Sequence, residues 1–159
     1  MAEAILDIQC IVGADNKYII KEMSIVDMDS NASQHWILKN SHINQNAKSR
    51  SVNNWLQRHY HGLAIEDGDV RYEELPKILH SLRFKTIYVK GEQKKNIIST
   101  FLPHIIIINL EEIGCPPLDR LCVAKPACCI FHMDSIPKQC TYCKIFIIKH
   151  WLIEKYNII

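Results

Sequence analysis

Glu3-Ala4-Ile5-Leu6-Asp7-Ile8-Gln9-Cys10-Ile11-Val12 is the stretch from which the architecture is read. Its apolar and β-branched residues predict a strand, broken by the turn Gly13-Ala14-Asp15-Asn16. Lys17 to Met28 answers it as the second strand of a hairpin, with Tyr18, Ile20 and the Ile25-Val26 pair as its apolar positions. The period of two sends Lys21 and Met23 to one face and Glu22 and Ser24 to the other. Gln34 to Lys39 predicts a third strand and closes an antiparallel meander, and the polar segment Asn40 to Ser51 reads as loop.

Beyond the meander the period changes. Val52, Trp55, Leu56 and Tyr60 recur at helical spacing and Gly62 ends that helix, which places Trp55 and Tyr60 at core positions. The turn Glu66-Asp67-Gly68-Asp69 leads to a helix over Tyr72 to Leu82, with Pro76 near its first turn. Thr86 to Lys90 then predicts a buried strand, Gly91 to Leu102 a helix and His104 to Leu110 a second apolar strand, the alternation of parallel β-α-β pairing. A short helix with Leu118 and Leu121 follows the turn Gly114-Cys115-Pro116-Pro117. The last helix runs from Cys140 to about Tyr156, with Ile145, Ile148, Trp151, Leu152 and Tyr156 as its buried face. Residues 1–159 make one domain, long enough to bury a core without disulfides.

The net charge of +2 does not by itself announce nucleic acid. Ile105 to Ile108 is far shorter than the roughly 18 residues that span a bilayer, so no membrane partner is expected. Seven cysteines, an odd number, and an N-terminus without a signal peptide's regions point to a reducing compartment, cytoplasmic or nuclear. Four of those cysteines and one histidine fall between Cys128 and Cys143. Cys129-x2-His132-x7-Cys140 supplies three ligands of the kind Zn²⁺ prefers, and a fourth must come from elsewhere in the fold. A zinc with four protein ligands is structural, pinning the Pro-containing loop to the sheet.

Three antiparallel strands, then helix, strand, helix, strand, helix, resembles the RNase H-like fold and its DEDDh exonuclease branch. That likeness implies an α/β domain on a five-stranded mixed sheet, three antiparallel strands then two parallel, flanked by helices. The exonucleases hold two Mg²⁺ ions with four carboxylates. Their first strand carries Asp-x-Glu, where this chain has Asp7-Ile8-Gln9. By the same likeness Asn96 stands near the third acid, and Gln139 and Lys144 at the histidine and acid of the last helix. With one acid of four left, the resemblance implies neither bound Mg²⁺ nor two-metal catalysis. Glu92, Asp119 and Asp134 are the nearby acids that another alignment would enlist.

The chain is more similar still to the Maelstrom domain of the piRNA pathway, an exonuclease fold that has exchanged those acids for a Glu-Cys-His-Cys zinc site. Carried over residue by residue, the zinc ligands are Glu22, Cys129, His132 and Cys140, with Cys128 and Cys143 as neighbours able to substitute. The resemblance implies a zinc-stabilised domain that binds single-stranded RNA in small-RNA silencing or transposon defence, with silencing-pathway proteins as partners. It leaves open an endoribonuclease with non-standard residues and a protein-interaction scaffold. His59, His61 and Lys94 are candidates for such chemistry, and nothing in the sequence selects among them.

Arg83, Lys85, Lys90, Lys94 and Lys95 place five positive charges in thirteen residues around the opening of a helix, a ready phosphate site. Arg50, Arg58, His59 and His61, interleaved with Trp55 and Tyr60, form a second candidate, since aromatics stack on unpaired bases.

Overall fold

The computed structural model describes residues 2–121 and 140–156. Three strands, β1 (Glu3–Val12), β2 (Tyr18–Asp27) and β3 (Ser33–Lys39), form the antiparallel meander. Then come α1 (Ala47–His59), β4 (Val70–Arg71), α2 (Leu75–His80), β5 (Thr86–Val89), α3 (Glu92–Phe101), β6 (Ile106–Asn109) and α4 (Thr141–Tyr156). The sheet runs in the order β4-β3-β2-β1-β5-β6, with β5 and β6 parallel to β1. This is an α/β architecture with an antiparallel half and a parallel half.

Six strands stand where five are expected. The extra one is β4, two residues that pair in parallel with Leu38 and Lys39 of β3. Gly68 permits that approach: a Cβ there would lie 2.7 Å from the Ile37 carbonyl oxygen and 2.8 Å from the Lys39 nitrogen. Asp69 then accepts from the Ile37 amide through its side chain at 2.9 Å. The helix expected over Tyr72 to Leu82 is accordingly split into a 3₁₀ turn at Tyr72–Glu74 and the short α2. The short helix after Pro117 is a single 3₁₀ turn, Leu118–Arg120.

The two faces of the sheet carry separate cores. Leu6, Ile8, Ile20, Met23 and Ile25 pack with Leu75, Leu79 and Ile98, while Ile5 and Val26 pack with Ile145, Ile148 and Leu152 of α4. Along the α4 face the paired residues run Ile5–Val26, Asp7–Ser24, Gln9–Glu22. The face is thus apolar at one end and polar at the other. α4 is tied across it by Ser24 and Thr141, whose hydroxyls meet at 2.7 Å, and by Lys149, which donates to the carbonyls of Asp27 and Ser30. Tyr156, expected on the buried face, is exposed.

α1 departs furthest from expectation. It starts at Ala47, inside the segment read as loop, because Asn46 and Ser49 form a reciprocal capping box. Its buried residues are Ser49 and Asn53, not the apolar stripe. Asn53 donates to the Val12 carbonyl and accepts from the Val12 amide, each at 2.8 Å. It therefore acts as a substitute strand partner for the end of β1. Satisfying those backbone groups turns Trp55 (55% exposed) and Tyr60 (38%) outward.

Candidate functional site: a buried triad and a lysine-lined cleft

The polar end of the α4 face holds a convergent group. Glu22 of β2, His35 of β3 and Cys140, just before α4, bring a carboxylate oxygen, an imidazole nitrogen and a thiol within 4.8 Å of one another. Glu22 is fully buried, yet well supplied with donors. Gln9 Nε2 donates to Oε1 at 2.8 Å and the Thr141 amide donates to the same atom at 3.2 Å. His35 Nε2 lies 2.7 Å from Oε2, and the Cys140 thiol 3.8 Å from it. A buried carboxylate without such donors would be severely destabilising. The amide at position 9 is what lets Glu22 sit here: a carboxylate in its place would repel it.

The triad's donor set, one carboxylate, one imidazole and one thiol, can hold a metal ion. Of the four ligands expected from sequence, Glu22 and Cys140 converge, while Cys129 and His132 lie outside the described residues, as does Cys128. Cys143 is buried on α4 but is not part of the convergent group. His35 is the member that sequence reasoning missed. Its signal was the register: antiparallel pairing sets His35 opposite Ser24, on the face already assigned to Glu22.

A second feature adjoins the triad. β1 pairs with β5 only through Glu3, Ala4 and Ile5, so Asp7 lies beyond the end of the parallel half, where Gly91 opens α3. Asp7 is 1% exposed, and Lys94 of α3 donates to its Oδ1 at 2.5 Å. Asp7 Oδ2 has no hydrogen-bond donor among the described residues. Burial pulls the Lys94 ammonium's pKa down, but the attraction and hydrogen bond of Asp7 prevail and hold it above the ordinary lysine value. Lys144 of α4 is buried nearby; burial, with repulsion from Lys94, holds its pKa below the ordinary value against the pull of Asp7.

Lys94, rather than the Asn96 expected from the alignment, therefore faces Asp7, and Asn96 is exposed. Lys144 lies on the flank of that contact. Glu92 is exposed, Asp119 lies in the turn before Leu121, and Asp134 and Gln139 lie outside the described residues. An ammonium tethered to α3 thus rests on Asp7.

The five-charge cluster is divided by the fold. Arg83 and Lys85 precede β5, whereas Lys90, Lys94 and Lys95 follow it, at the other end of a strand four residues long. Lys90 is paired with Glu111 at 3.0 Å, and Arg83 donates to the carbonyl of His80. What the fold adds is aromatic. Lys94, Lys144 and Tyr60 line one cavity of about 180 Å³, with the Lys144 ammonium 5.8 Å from the Tyr60 ring centre. The rings of Trp55 and His59, on α1, lie 5.4 Å apart and tilted by 44°. His61 is buried, with Nδ1 accepting from the Leu63 amide, which makes it a loop-forming residue.

No family model matches the sequence, and no curated protein matches it. No described helix is long and apolar enough to cross a membrane.

Proposed function

We propose that this chain is a Maelstrom-type member of the RNase H-like superfamily, stapled by zinc, that binds single-stranded RNA in small-RNA silencing or transposon defence without two-metal catalysis. The observation that carries the reading is the Lys94–Asp7 contact. A covalently attached cation takes up the acid that would otherwise bind a divalent ion, and Gln9 gives its amide to Glu22 instead. The strand order β3-β2-β1-β5-β6, antiparallel then parallel, with α4 laid over β1 and β2, supports the superfamily assignment.

The triad fits zinc on its chemistry and nearly on its dimensions. Tetrahedral ligation at about 2.0 Å for oxygen or nitrogen and about 2.3 Å for sulfur sets ligand edges of roughly 3.3 to 3.5 Å. The Glu22–Cys140 separation of 3.8 Å is close to that, and the hydrogen-bonded Glu22–His35 separation of 2.7 Å would have to open slightly. Four ligands are drawn from Glu22, Cys140, His35, Cys129 and His132. A histidine left out of the set would serve as a hydrogen-bond partner that orients the carboxylate.

Elemental analysis of the purified protein tests the staple: one zinc per chain is expected, retained by Lys94→Met and lost by Cys140→Ser. Filter binding to oligouridylate tests the function. Affinity that falls steeply with salt, with no cleavage in magnesium, is the expected result. Magnesium-dependent cleavage, or no RNA affinity at low ionic strength, would overturn it.

A further inference from the structure

α1 turns its polar side to the sheet and its aromatic side to water. Ser49 and Asn53 are its buried residues, whereas Val52, Trp55 and the capping Tyr60 are left exposed. Lys48, Val52, Trp55 and His59 recur at helical spacing, so they stand in one row along the helix, with Arg58 beside it. A tryptophan more than half in water is unusual where a core is at hand, and with Val52 it gives the row an apolar middle between basic ends. The charge of the row has one sign. Residues 47–59 contain no acid, and neither Lys48 nor Arg58 enters an ion pair among the described residues. Arg50 stands apart, because it lines a polar hollow on the other flank of α1 together with Glu66. The row leads to the cleft, which Leu56 and Tyr60 line together with Tyr18 of β2.

We infer that the solvent face of α1 is the track on which a single-stranded RNA lies, its bases stacking on Trp55 and Tyr60 and its phosphates meeting Lys48 and Arg58. This rests on the RNA-binding reading above and names the surface that carries it. Unpaired bases present bare ring faces to an exposed indole, whereas a duplex keeps them stacked inside. A guanidinium and an ammonium with no acid on their own helix are left to neutralise phosphates. Charge complementarity selects a polyanion, and the succession of rings toward the cleft selects one that carries flat rings of its own.

Fluorescence titration with oligouridylate tests the surface, read alongside the unfolding midpoint. Trp55→Phe, which keeps a ring, should bind nearly as wild type. Trp55→Leu, which keeps apolar bulk without an aromatic face, should weaken binding about tenfold. Lys48→Gln and Arg58→Gln should each reduce the salt slope by about 0.7, the loss of one single-strand phosphate contact. Tyr156→Leu, which removes an exposed ring at the last residue of α4, should change nothing. All these side chains are exposed, so midpoints should stay near wild type. RNA bound equally by wild type, Trp55→Leu and the Lys48→Gln, Arg58→Gln pair would overturn the track and leave RNA binding standing. Equal affinity for a blunt RNA duplex would overturn it too, as would wild-type self-association abolished by Trp55→Leu, which would assign the face to a second copy. No RNA bound by wild type at low ionic strength would overturn both readings.

Discussion

Lys94→Met should destabilise the fold, and Asp7→Asn should rescue it. Two unit charges near 3 Å at an effective dielectric of about 20 attract by roughly 5 kcal/mol, against which stands the cost of burying Asp7. Removing the ammonium leaves a carboxylate that is 1% exposed, with Oδ2 already lacking a donor among the described residues. Breaking a buried pair in this way costs about 3–5 kcal/mol. Because the Lys94 side chain is 30% exposed, water can reach the gap it leaves, and the lower figure of about 3 kcal/mol applies. In a chain of this length that is a fall in Tm of roughly 6–12 °C. Asp7→Asn alone should cost about 1 kcal/mol, since Lys94 can turn toward solvent. The double variant should return to within about 2 kcal/mol of wild type, a coupling of roughly 2 kcal/mol in urea unfolding. Additive effects, within about 0.5 kcal/mol, would refute the idea that Lys94 serves as Asp7's cation. So would a wild-type midpoint raised by magnesium.

Four other outcomes follow from the geometry. Gly68→Ala should cost about 1–3 kcal/mol and loosen β4 from β3, read as faster amide exchange at Val70 and Arg71, because the added carbon meets backbone rather than a movable side chain. Lys21, fully buried, donates to the carbonyls of Leu38, Ile65 and Asp67, so Lys21→Met should cost about 2–3 kcal/mol at neutral pH by stranding them. Burial lowers its pKa from 10.5 to about 8, so the unfolded chain holds the proton longer, and wild type should gain on Lys21→Met as pH rises from 8 to 10.5 in parallel urea titrations. Lys94 has the opposite sign: its pKa is raised, so its contribution should be complete below 10.5 and fade above it, which the pH dependence of the Lys94→Met difference measures. Trp55→Ala should leave the midpoint nearly unchanged, as its ring is largely in water, and weaken oligouridylate binding by about 1–3 kcal/mol.

The meander and the two parallel strands were legible because their apolar runs are bounded by turn residues, and each face of a strand follows from a period of two. β4 was not, because a two-residue strand has no period; its cause is the missing side chain at position 68, where backbone meets backbone. α1 misled for a different reason. Val52, Trp55, Leu56 and Tyr60 have the spacing of a buried stripe, but burial here is decided by Asn53, whose amide group satisfies both backbone groups of Val12. Of the candidate metal ligands, Cys140 could be named from its spacing and Glu22 from the resemblance, whereas His35 needed the register of β2 against β3.

Gln9 and Lys94 account for both halves of the site. With glutamate at position 9, two carboxylates would face each other across β1 and β2, and each would need a cation of its own. With Gln9, the amide hydrogen goes to Glu22, and Glu22 becomes a buried single charge able to join His35 and Cys140. Asp7 is then a single carboxylate at the end of the sheet's parallel half, and Lys94 closes on it. Charge balance around β1 is thus kept by one amide and one lysine. Lys144 of α4 lines the same cleft. Gln9→Glu should therefore weaken the triad before it creates any magnesium site: zinc content should drop, with no gain of nuclease activity. A gain of magnesium-dependent cleavage in that variant would show that Lys94 yields its place readily, and would refute this account of the cleft.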